Sequence, residues 1–102
     1  MAPNNREVRA RIAINWLENA GCLDGLLNGK KLVTNDHAHI GQSRGRSIVV
    51  RARDAANEIL TQYGGGLSRV SAAEIDFNSG RVSIKPEYKE EFRRAVENYR
   101  SK

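Results

Sequence analysis

The chain has 102 residues, a net charge of +5, 39% hydrophobic and 28% charged residues. That is room for one hydrophobic core and too little for two ordinary domains, with a composition unlike that of a disordered chain. No apolar run approaches the ~18 residues of a membrane helix, and the polar first eleven residues lack a signal-peptide core. One compact domain over 1–102 is expected, frayed at 1–4 and 101–102. Cys22 is the only cysteine, so no internal disulfide forms, and a small buried apolar group in a cytoplasmic protein is expected.

The positive charge is concentrated. Residues 28–53 hold six of the 17 basic residues, Lys30, Lys31, Arg44, Arg46, Arg51 and Arg53, against the single acid Asp36. The rest of the chain holds eleven of each sign. All of the excess belongs to one quarter of the sequence.

In chain order, Asn4 and Glu7 have capping-box spacing, and Val8, Ile12 and Trp16 recur every four residues with Ala13, Leu17 and Ala20 beside them. This predicts a helix over about 5–20 ended by Gly21 in a left-handed cap. Asn28-Gly29 between Leu26-Leu27 and Leu32-Val33 predicts a tight hairpin within 22–34. Residues 35–47, polar and glycine-containing, read as a loop.

A second helix is expected from Ser47 as cap, with Ile48, Ala52, Ala55, Ala56, Ile59, Leu60 and Tyr63 on one face. The β-branched Ile48-Val49-Val50 could instead be a short strand. Gly64-Gly65-Gly66 stops the helix. A hairpin follows over 73–85, where Ile75 and Phe77 alternate with Glu74 and Asp76, and Val82 and Ile84 with Arg81, Ser83 and Lys85, around an Asn78-Ser79-Gly80 turn. Pro86 opens a last helix with the apolar stripe Tyr88, Phe92, Ala95, Val96 and Tyr99. The expectation is an α+β domain, three helices packed on small antiparallel hairpins in the order helix, hairpin, loop, helix, hairpin, helix.

Gly41-Gln42-Ser43-Arg44-Gly45 matches the G-x-S-x-G elbow of hydrolases, but both histidines lie upstream and the chain is too short for that sheet. The loop suits a phosphate better. Ser43 and Gly45 let an anion approach, Arg44 and Arg46 supply charge, and a helix start follows. Without a lysine-bearing phosphate loop, a nucleic-acid phosphate is the expected target rather than a nucleoside triphosphate. His37 and His39 share one face of an extended chain, yet no second ligand cluster completes a metal site. They could also act as an acid–base pair on RNA, although alternate loop positions do not bracket a scissile phosphate. The aromatic residues fit helix faces, and so the core rather than base stacking.

Residues 8–34, with Trp16-Leu17-Glu18-Asn19-Ala20-Gly21 and a hairpin carrying Asn28-Gly29 and Lys30-Lys31, resemble the end of a winged-helix DNA-binding module. The resemblance implies groove contacts from Arg6, Arg9 and Arg11 and wing contacts from Lys30 and Lys31. That family places two helices before its recognition helix, whereas five residues precede the first helix here.

The functional expectation is a small basic nucleic-acid-binding accessory or regulatory protein without cofactor, contacting double-stranded DNA through Lys30, Lys31, Ser43, Arg44, Gly45, Arg46, Arg51 and Arg53. The alternative is a non-enzymatic interaction module, an inhibitor or adaptor, using the same basic face on an acidic protein. A homodimer suits either reading, since pairing doubles the basic surface.

Overall fold

The computed structural model describes residues 5–28, 42–76 and 81–100, with side chains at all of these except 42–48 and 81. Helix α1 (Asn5–Asn19) is followed by a short α2 (Leu23–Asn28), a long α3 (Gln42–Tyr63), strands β1 (Ala73–Asp76) and β2 (Arg81–Ile84), a 3-10 turn (Pro86–Tyr88) and α4 (Lys89–Arg100). This is an α+β fold, helices packed on a small antiparallel hairpin.

α1 buries Ala10, Ala13, Ile14 and Leu17, a stripe at spacings of three and four. The Val8–Ile12–Trp16 row expected to face the core lies one position round the helix. Ile12 is 62% exposed, while Trp16 packs only partly against the core. The reason is α3, which packs against α1: Ala52 and Ala56 on one helix and Ala10 and Ala13 on the other are buried, and small side chains let two helices approach closely. The two helices run antiparallel, with Arg51 of α3 against Trp16 and Arg6 against the Gly65–Gly66 end.

Both helices end in the same way. Cys22 N–H donates to Leu17 C=O (2.8 Å) and Gly21 N–H to Glu18 C=O (3.1 Å); Gly66 N–H donates to Thr61 C=O (2.8 Å) and Gly65 N–H to Gln62 C=O (3.1 Å). These are Schellman caps, and Gly21 (φ 73°) and Gly65 (φ 108°) occupy the left-handed position that requires glycine.

Two sequence expectations change. Leu26, Leu27 and Asn28 belong to α2, so the first arm of the expected 22–34 hairpin is helical; residues 29–34 lie outside the described residues. Burial of Leu23 and Leu26, together with the Asn28 Nδ2 bond to Asp24 C=O one turn back (3.0 Å), favours the helix over a strand there. Helix α3 starts at Gln42, so Ser47 is interior rather than a cap, and residues 42–47 are helix rather than loop. The alternative strand at 48–50 is likewise helical. Asn4 and the turn at 78–80 lie outside the described residues.

The second hairpin has the expected alternation, with Glu74 opposite Ser83, Ile75 opposite Val82 and Asp76 opposite Arg81. Its buried Val82 and Ile84 join the core with Phe92, Ala95, Val96 and Tyr99 of α4. Pro86 begins a 3-10 turn that leads into α4. Arg100 of α4 pairs with Glu18 of α1 at 3.4 Å.

Candidate nucleic-acid interface

The basic stretch expected to form a loop and helix start is, from residue 42 onward, one continuous helix. Helical periodicity then sorts its arginines. Seven residues make almost two turns, so positions 44 and 51 share one edge of α3 and positions 46 and 53 another, roughly 160° away. The buried Val49, Ala52 and Ala56 lie on the side opposite the arc between these edges. Positions 43, 47 and 50 fall within that arc.

Each edge meets a different neighbour. The Arg51 guanidinium lies over the Trp16 ring, 5.0 Å from its centroid. Such stacking occupies the planar face of the group and leaves its N–H edge available to an anion. On the other edge, Arg53 Nε donates to Asp54 Oδ1 at 3.1 Å in an ion pair exposed to solvent. An exposed pair of this kind contributes about 0–1 kcal/mol, so a phosphate can displace the carboxylate at little cost.

The predicted residues are therefore not a single cluster. The structure brings positions 44 and 51 to one side of α3 and 46 and 53 to the other. Gly45 and Ser43 belong to the helical backbone rather than to a glycine-rich cradle. Lys30 and Lys31, like His37 and His39, lie outside the described residues. Of the groove contacts implied by the winged-helix resemblance, Arg11 is bound to Glu7 (3.1 Å) and Arg6 packs on Gly66, where a Cβ would sit 3.2 Å from Arg6 Cδ. Arg9 is exposed. A helix, α2, stands where the wing's first strand was expected.

Sequence reasoning missed a groove of about 670 Å³ between α3 and the segment running into β1, lined by residues such as Asp54, Glu58, Arg69 and Glu74. Asn57 also lines it. The Asn57 Oδ1 accepts hydrogen bonds from Ala72 N–H and Ala73 N–H, both at 2.8 Å, and Thr61 Oγ1 accepts one from Val70 N–H at 2.9 Å. The available signal was a pair of poor helix formers, Asn57 and Thr61, one turn apart in the otherwise favourable second half of the helix.

Cys22 is buried, its Sγ 3.7 Å from Ala20 C=O, and burial pushes its thiol above the ordinary value. That environment belongs to a packed side chain rather than to a reactive thiolate. Among the described residues, no group of three His, Cys, Asp or Glu side chains is arranged to hold a metal ion. No helix among them is long and apolar enough to cross a membrane. Comparison with protein families, curated proteins and solved structures finds no match to this chain.

Proposed function

We propose that this chain is a small nucleic-acid-binding protein of accessory or regulatory role, cytoplasmic, that grips double-stranded DNA through residues 28–53. The observation that carries the reading is the arrangement of charge on α3: the arginines of a locally +5 segment fall on two edges of one helix, with Ser43, Ser47 and Val50, followed by the exposed Asp54, on the arc between them. A helix is about 10–12 Å across and the major groove about 12 Å wide, so arginines on opposite edges suit the phosphates of opposite strands. Lys30 and Lys31 add charge ahead of the helix. A pair of copies would double this surface.

Phosphate contacts release counterions, so affinity for duplex DNA should fall steeply between about 50 and 200 mM salt, with a slope of about −0.9 per neutralised phosphate. Arg44→Ala and Arg51→Ala, on one edge, and Arg46→Ala and Arg53→Ala, on the other, should each reduce the slope by about one. Titration of labelled duplex with wild type and the four variants measures it. Absence of binding at the lower salt concentration overturns the proposal.

One observation favours the competing reading, an interaction module for an acidic protein. Ile12 is 62% exposed one helical turn from Trp16, on which Arg51 stacks, which gives that edge an apolar component that phosphate binding does not use. A protein complex that survives nuclease treatment and dissociates on Ile12→Glu would favour it.

A further inference from the structure

Among the described residues, pairing with β2 occupies one edge of β1 and no strand pairs with the other. Lys85 N–H donates to Ala72 C=O at 2.8 Å, and with Glu74 opposite Ser83 and Asp76 opposite Arg81 the ladder to β2 runs through positions 72, 74 and 76. The backbone groups of Ala73 and Ile75 therefore point away from β2, towards α3. The Ala73 N–H donates to Asn57 Oδ1 of that helix, as does the Ala72 N–H at the entry to the strand. Beside this tether lies the groove of about 670 Å³, with Ala73, Glu74 and Ile75 among its lining residues. The groups offered there are the Ile75 N–H and the C=O groups of Ala73 and Ile75. An extended backbone is the chemistry that complements alternating donors and acceptors at strand spacing.

The side chains narrow the choice of strand. Glu74 and Asp76 are exposed, and Ile75 between them is half-buried against the core. A strand added at this edge sets alternate residues beside the two carboxylates and the intervening ones beside Ile75. β2 already answers this pattern on the other edge: Arg81, Val82, Ser83, Ile84 and then Lys85 alternate polar or basic with apolar, and Lys85 Nζ lies 3.9 Å from Glu74 Oε1. A second copy of β1 does not suit, because antiparallel self-pairing places Glu74 against Glu74 or against Asp76, and like charges opposite one another are unfavourable. The rest of the lining adds Asp54 and Glu58 against Arg53, which Asp54 engages, and Arg69, so that acids outnumber basic residues in the groove by three to two.

We propose that the groove between α3 and the outer edge of β1 is a docking site for an extended polypeptide segment of alternating basic and apolar residues, bound as a third strand of the sheet. It shares Arg53 with the proposed DNA contacts of α3 but does not depend on DNA binding. The test uses the full chain, labelled with 15N, and the labelled peptide acetyl-Lys-Val-Arg-Val-Ser-Ile-Lys-amide. Binding should shift the amide signals of Ile75, Glu74 and Arg69 and slow hydrogen exchange at the Ile75 N–H. Replacing the basic peptide residues by Glu should abolish binding. Glu74→Lys should weaken it about fivefold, an opposite-charge cross-strand pair being worth up to about 1 kcal/mol. Methylation of alternate peptide nitrogens, which leaves the protein untouched, should abolish it too. No binding at millimolar peptide, signals displaced elsewhere, or equal affinity for the Glu peptide would each overturn the proposal.

Discussion

Asn57 shows how much one polar side chain can organise. In the middle of α3 it gives up helix propensity, and in return its Oδ1 holds the two N–H groups at the entry to β1. Asn57→Ala leaves both donors without that partner, which should lower stability by about 2–3 kcal/mol in urea unfolding. Asn57→Asp keeps the acceptor and should cost clearly less, and equal losses for the two variants would refute this account. At Cys22 the consequence is one of pH. Burial raises the thiol above its ordinary value of 9.0, and burial likewise raises Tyr99 above 10.0, partly offset by Arg6. Both groups are held in their neutral, protonated form by folding. Their contribution is fully present below the ordinary values and is lost as pH rises through the elevated ones. Stability should therefore be insensitive to these groups at neutral pH and decline above about pH 9, and Cys22→Ala should flatten part of that decline.

Among the elements, α3 differs most from its sequence signature. Gly41, Gly45 and the serines around them signal a loop, and local propensity there is poor. The structure nevertheless continues the helix back to Gln42. Gly45→Ala tests this directly. In a helix interior the substitution should stabilise by up to about 1 kcal/mol and raise the helical circular-dichroism signal, whereas in a phosphate-cradling loop it would impair binding and leave helicity unchanged. The elements with strong periodic patterns were legible: α1 to within a residue at its start, the β1–β2 hairpin with its alternation, and the Phe92–Tyr99 stripe of α4. The α1 face was not, because Ile12 and Ile14 are equally apolar and only the tertiary packing of α1 leaves Ile14 buried and Ile12 exposed. The α2 helix was concealed by the turn signal Asn28-Gly29, of which Asn28 belongs to the helix.

At the scale of the whole molecule, net charge was readable from the sequence and its direction in space was not. Arg51 and Arg53 are two residues apart in sequence, yet one faces α1 and the other the groove beside β1. Only the helical state of the segment determines that separation. The groove itself was illegible, since it depends on Asn57 meeting backbone fifteen and sixteen residues further along the chain. The Arg51–Trp16 stack has one further consequence. Trp16 is the sole tryptophan of the chain, so the intrinsic ultraviolet emission comes from an indole with a guanidinium 5.0 Å above its ring. Whatever draws Arg51 outward changes the electric field at that chromophore. The protein thus carries its own optical gauge: duplex DNA engaging this edge should alter the tryptophan spectrum, and Arg51→Ala should abolish the response while leaving the indole in place.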